Sequence, residues 1–331
     1  MRTLSTQDKW QTWKGIVLQI ASLVMLLTAG RLLQTNLGLL GLALSELLFL
    51  ILAVGYTLAK KTPLKEVFPI RKPSLRDIFG VLFMWGGGLL FGMLSVYMMA
   101  AILPQQFIDV LSSLNSALTG NPIVLFFIVS IMAPICEESI ERGAVLSHFR
   151  SWKHGWAVIV VIGLFFGIMH LDPIRFFNTA ILGGVCAYFM VKKDNFLLPL
   201  MLHFVNNSFS DIIQLISGDS VDTDQAIELL KDADMLMILG ASMIVFCIAP
   251  FIMAIGIQLM QTKLPKDAPL QERRERSKFL SRLYIGATII MGILLIGGTI
   301  ILATNENFRE LYKQTYAATM ESASAVLTLI C

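Results

Sequence analysis

Charge is what this sequence has least of. Lys, Arg, Asp and Glu make up 15% of its 331 residues, against roughly a quarter in soluble globular domains, too few to clothe an ordinary water-facing surface. The signs nearly cancel, with 26 basic against 23 acidic residues. That balance gives no electrostatic footprint for nucleic acid, and no RNA- or DNA-reading motif occurs. Cysteine is sparse too. Cys136, Cys186, Cys247 and Cys331 form no CxxC pair and no zinc spacing, and three of them lie in apolar runs, so neither a disulfide framework nor a zinc module is expected. Internal repeats and low-complexity tracts are missing. Residues 1–14 are too long and mixed for a signal-peptide n-region, and no A-x-A exit site follows, so the first apolar run is expected to be retained.

What is present is apolar sequence. Hydrophobic residues make up 56% of the chain, in runs of about twenty that recur from one end to the other, the pattern of membrane-crossing helices. Nine spans are expected, at 16–33, 37–58, 78–103, 123–149, 156–171, 176–191, 196–216, 236–260 and 283–302. The expected fold is all-α, a polytopic transmembrane bundle of eight to nine spans. It forms a single integral domain over 1–331, in a cell membrane whose lipid bilayer is its first partner. With the N-terminus cytoplasmic and the spans alternating, twenty of the 26 basic residues fall on the inside, which the positive-inside rule favours. The 104–122 connection carries no Lys or Arg. Its Phe107, Val110, Leu111, Leu114 and Leu118 recur at helical spacing, as in a helix at the outer interface. The 263–282 stretch is a charge run expected to be a solvated connection near anionic headgroups.

Ionisable residues within spans are costly and therefore candidate functional groups. Three clusters stand out: Glu137, Glu138, Glu141 and Arg142 in the fourth span, His170 at the end of the fifth after Phe166, and His203, Asn206 and Asn207 in the seventh. At about 100° per residue Glu138 and Arg142 share a helix face and can pair, whereas Glu137 points about 140° away from Arg142. If the fourth and fifth spans form a hairpin turning near Trp152, Glu137 and His170 differ in height by only about 5 Å. A turn near Asp194 sets His203 and Asn207 at roughly 14 and 20 Å above it. A glutamate, two histidines and an asparagine thus converge at membrane depth. A Glu beside a His can deprotonate water for attack on an amide carbonyl, and a second His with an Asn amide can stabilise the oxyanion. Two His and a Glu also suit zinc, although no HExxH occurs and the three would come from three helices.

The trio EExxxR (Glu137, Glu138, Arg142), FxxxH (Phe166, His170) and HxxxN (His203, Asn207) on successive apolar spans resembles the CPBP family of intramembrane glutamate proteases, the CAAX proteases and bacteriocin-processing enzymes. The resemblance covers 123–209, the protease-motif core. It implies catalytic residues on three central helices, with Glu137 and His170 activating water and His203 and Asn207 binding the oxyanion, without cofactor or metal. Glu138 and Arg142 support them. The implied substrate is a membrane-associated or lipid-modified peptide. A non-catalytic scaffold or bacteriocin-immunity role, binding a peptide or a membrane sensor kinase, is the alternative. A transporter is disfavoured by the lack of an inverted repeat. One position departs from the family pattern: Glu141 stands before the motif arginine, where an aromatic or apolar residue is common. It is expected about 40° around the helix and about 6 Å from Glu137, as a possible modulator of that carboxylate.

Overall fold

The computed structural model describes residues 12–117, 121–217, 233–261, 264–265 and 267–315. Expectations resting on Arg2, Lys9, Leu118, Lys231, Lys263, Lys266 or Cys331, or on the side chain of Leu114, lie outside them. The described residues hold helices and no strand, in an all-helical, polytopic membrane-spanning bundle. Helix α1 (Thr12–Met25) passes through a π-helical turn (Leu26–Gly30) into α2 (Arg31–Ala59). There follow α3 (Leu75–Ile102), α4 (Pro104–Ala117), α5 (Pro122–Val145), α6 (Gly155–Met169), α7 (Phe176–Lys193), α8 (Leu197–Ser217), α9 (Met235–Met260) and α10 (Leu270–Thr304).

By length and composition, five described stretches suffice to cross a membrane: Thr12–Ala59, Leu75–Ile102, Pro122–Val145, Met235–Met260 and Leu270–Thr304. Gly155–Met169 is a shorter apolar helix. Helices α7 and α8 are diluted by Asn178, Lys192 and Lys193 and by His203, Asn206, Asn207 and Asp211.

Two boundaries differ from those expected. The first hairpin turns at Gly38 and not at 34–36. Gly38 has φ 54° and ψ −128° inside the helical run, a conformation open to glycine and strained for any side chain. The returning strand of helix passes so close that a Cβ on Gly41 would lie 2.0 Å from the Leu33 carbonyl oxygen. The second is α10, which starts at Leu270 and not at 283. Gln, Glu, Arg, Lys and Leu are strong helix formers, and Gln271 donates to Glu275 one turn on at 3.0 Å. The helix therefore continues into the polar region, and the presumed loop shrinks to the connection before Leu270.

Caps fix where other helices begin. Ser74 and Asp77 exchange side-chain and backbone hydrogen bonds at the start of α3, Asn121 accepts from the Ile123 and Val124 amides at α5, and Asp234 caps α9 while accepting from Asn305 and Asn307 beyond α10. Helix α4 packs Phe107 and Ile108 against Ala100 and Ile174. At the opposite end several connections meet. Arg71 and Arg150 approach Asp194, Asn195 bonds the backbone of Arg71 in both directions, and Lys193 pairs with Asp77 at 2.7 Å. The core runs through Cys136, Ile140, Phe149, Ile162 and Met190 in one cluster and Met84, Phe189, Leu202 and Met260 in another. Ile285, Ile289, Ile293, Ile296 and Ile300 form an exposed stripe on α10, the face suited to lipid. Cys136, Cys186 and Cys247 are free thiols.

Two predictions follow from these contacts. Gly41→Ala is expected to lower the unfolding temperature in detergent, because its Cβ meets backbone that cannot swing aside, whereas Gly286→Ala, with nothing within 4 Å and a gain in helix propensity, does not lower it. His148 lies just beyond α5, with Tyr56 Oη 2.9 Å from its Nε2. Burial, reinforced by Lys60 and Lys14, holds its pKa down at about 4, from an ordinary 6.5. The folded protein thus favours the neutral ring, so its contribution is fully present above about pH 6.5 and is lost as pH falls toward 4. Thermal unfolding of His148→Gln should depend less on pH across that window than the parent.

Candidate active site

Helix α5 is not a regular α-helix. It alternates α turns (Pro122–Phe126, Ala133–Glu138) with π turns (Phe127–Met132, Ser139–Val145). The first π turn has a local cause. Pro134 has no N–H to give and its ring crowds the preceding turn, and widening the turn relieves the crowding. Ala133 donates to Ile128, five residues back, so in the same register the Val129 carbonyl faces the donorless Pro134 nitrogen. Asn207 of α8 supplies the missing donor, its Nδ2 lying 2.8 Å from Val129 O. Ser130 donates to Asp211 at 2.6 Å beside it, and the two bonds fix α8 against α5.

The motif residues separate into a wall and a face. Glu138 and Arg142, both with fully buried side chains, lie 3.1 Å apart, carboxylate to Nε. The Arg142 Nη2 also donates to the Gly183 carbonyl at 3.1 Å, an approach that a Cβ on Gly183 would obstruct by meeting Phe166 at 2.7 Å. The other Glu138 oxygen lies 2.9 Å from His203 Nδ1. A carboxylate only accepts, so this nitrogen carries the proton, and His203 Nε2 is left pointing toward Glu137, 3.9 Å from its carboxylate. Likewise His170 Nδ1 lies 2.9 Å from the Phe166 carbonyl and must donate, leaving Nε2 as the free nitrogen of the neutral ring. Phe166 is more than core. Its ring meets His170 and His203 edge-on, at 4.9 and 5.7 Å between centroids, and the Arg142 guanidinium lies 4.4 Å over it.

Glu137, His170, His203 and Asn207 line one cavity of about 450 Å³. Glu138 and Arg142 do not line it. Glu141 does, yet it is only 1% exposed and accepts from Gln19 of α1 at 2.8 Å. The π turn around Ser139–Val145 rotates more slowly per residue than an α-helix, which carries Glu141 toward α1. A further carboxylate comes from α2, Glu46. Glu46 is 8% exposed and lines the same cavity, as does Arg175, which is bonded to Asp172. Glu46 escapes a search for clusters because it stands alone in its apolar run. A lone carboxylate within a span was the available signal, and so was Gln19. The Glu138–His203 bond has no trace in the spacing, since it joins two helices. Among the described residues, no group of three or more His, Cys, Asp or Glu side chains is placed to hold a metal ion.

Comparison with known proteins bears on the same stretch. Residues 119–209 match the family described as Type II CAAX prenyl endopeptidase Rce1-like, and a domain of that family is present there. No curated protein and no solved structure matches the chain.

The wall network generates a stability prediction. Arg142→Met leaves the Glu138 charge uncompensated in the interior, at a cost of about 3–5 kcal/mol. Adding Glu138→Gln to Arg142→Met should recover part of that loss, a positive coupling readable from thermal unfolding of the two single variants and the double variant.

Proposed function

We propose that the protein is a metal-independent intramembrane endopeptidase that hydrolyses a peptide bond of a membrane-associated or lipid-modified peptide. The observation that carries this reading is the sorting of the motif residues: Glu137, His170, His203 and Asn207 open onto one cavity, while Glu138 and Arg142 are sealed in its wall. The match to the prenyl endopeptidase family over 119–209 supports it. We assign nine crossings with a cytoplasmic N-terminus, supported by the basic connections that meet at one end of the bundle.

In this mechanism a water sits between the Glu137 carboxylate and His170 Nε2. Glu137 takes its proton while the water oxygen attacks the carbonyl carbon, a general-base contribution of about 10²–10⁴ in rate. The carbonyl π pair moves onto oxygen. The Asn207 amide has one N–H committed to Val129 and its second free for this oxyanion. His203 Nε2 joins it as a second donor when that nitrogen carries a proton. Cleavage of the C–N bond then requires a proton on the departing nitrogen.

Glu137→Gln and His170→Ala are each expected to lower cleavage of quenched membrane-peptide substrates by at least about 10²-fold, with unfolding temperatures near that of the parent, since neither residue belongs to the wall network. Chelators should leave cleavage unchanged. Loss of activity in chelator with recovery on adding zinc would move His170 and His203 from proton transfer and oxyanion binding to metal ligation. Full activity in Glu137→Gln would overturn the enzyme reading.

A further inference from the structure

Besides Glu141, which accepts from Gln19, the cavity contains a carboxylate that the steps above leave without a task. Glu46 comes from α2, outside the 119–209 match, and lines the same cavity as Glu137. It is more than nine-tenths buried, and its Oε2 has no hydrogen-bond partner. Among the described residues it forms no ion pair with any Lys, Arg or His. The other ionisable groups around the cavity have their own engagements. Glu141 is held by Gln19 through one oxygen, Arg175 by Asp172, His170 by the Phe166 carbonyl, and His203 by Glu138. Arg142 is spent on Glu138 and Gly183 inside the wall, and Cys136 is a buried thiol. Glu46 and Glu137 therefore line one low-dielectric cavity as two carboxylates, with His203 the nearest ring to Glu137 at 3.9 Å and already bonded to Glu138. Like charges so confined do not both ionise.

From this arrangement we infer that Glu46 and Glu137 share one proton, and that Glu46 carries it in the resting enzyme and delivers it to the leaving nitrogen. The inference rests on the endopeptidase reading. The atoms balance. Glu137 gains the proton of the attacking water, whose oxygen becomes bonded to carbon, and Glu46 gives its own proton to the nitrogen as the C–N bond breaks. The products are an acid and an amine, and the pair again holds one proton, now on Glu137. Its return to Glu46 across the cavity restores the resting state. Glu46 is thus a further catalytic residue, supplied by a helix that the motif does not include.

The experiment compares a cleavable peptide with its depsipeptide, in which the scissile amide is replaced by an ester. An ester releases its alkoxide far more readily than an amide releases nitrogen, so it needs little help from an acid. Glu46→Gln keeps shape and hydrogen bonding but cannot give up a proton in this role. It is expected to lower amide cleavage by about 10²-fold or more and ester cleavage by less than about tenfold, and to lose the alkaline limb of the pH–rate profile. Equal losses on both substrates with an unshifted profile would mean that Glu46 only supports the fold, overturning the inference. A second arm needs no substrate. Infrared titration of the full chain in lipid nanodiscs should show a carboxylic-acid step in the parent that is missing both in Glu46→Gln and in Glu137→Gln. A Glu46→Gln titration identical to the parent would overturn the shared proton. If the parent cuts no peptide, the endopeptidase reading falls, while the infrared arm still decides whether the pair shares a proton.

Discussion

A guanidinium without water around it must be given partners, and the interior of this protein is arranged to supply them to Arg142. Glu138 neutralises it, the Gly183 carbonyl accepts from it, and the face of Phe166 lies against it. Each partner belongs to a different structural problem. Glu138 also fixes the tautomer of His203, Gly183 lets α7 come close enough to α6, and Phe166 spaces the two histidines. Satisfying one buried charge therefore sets the relative positions of α5, α6, α7 and α8. A buried ion pair of this kind contributes little net stability, but it permits few alternative arrangements of its neighbours.

Much of this was legible in the chain. Apolar runs place the helices, and the recurrence of polar residues at i and i+4 in the fourth and seventh spans picks out both Glu138 with Arg142 and His203 with Asn207. The helix boundaries that were missed have plain causes. The Gly38 turn is a single residue with positive φ in an otherwise helical sequence, where periodicity carries no break. The early start of α10 lies in residues that form helix well but are too polar to register as a span.

The partner of Glu141, Gln19 of α1, was out of reach of a helical wheel for a subtler reason. A helical wheel assumes 3.6 residues per turn throughout, whereas α5 has two π turns, the first seated at Pro134. Past such a turn every predicted direction is rotated, and Glu141 sits inside the second one. Pro134 was visible in the sequence as a helix-interior proline. The response of the backbone to it depends on whether a neighbour such as Asn207 can meet the carbonyl it orphans, and that is a property of the packed bundle.

The hairpin made by α1 and α2 packs against α5, lines part of the cavity and brings Gln19 and Glu46 with it. The cleft is thus composite, one wall drawn from the family core and the other from chain that precedes the match. These two walls can diverge at different rates. A lineage could exchange the hairpin's inward-facing side chains, and with them the size, polarity and proton inventory of the cleft, without disturbing the Arg142 network that holds the core. Proteins with indistinguishable motifs would then differ in what they accept, and the differences would lie in a segment that motif comparison never aligns.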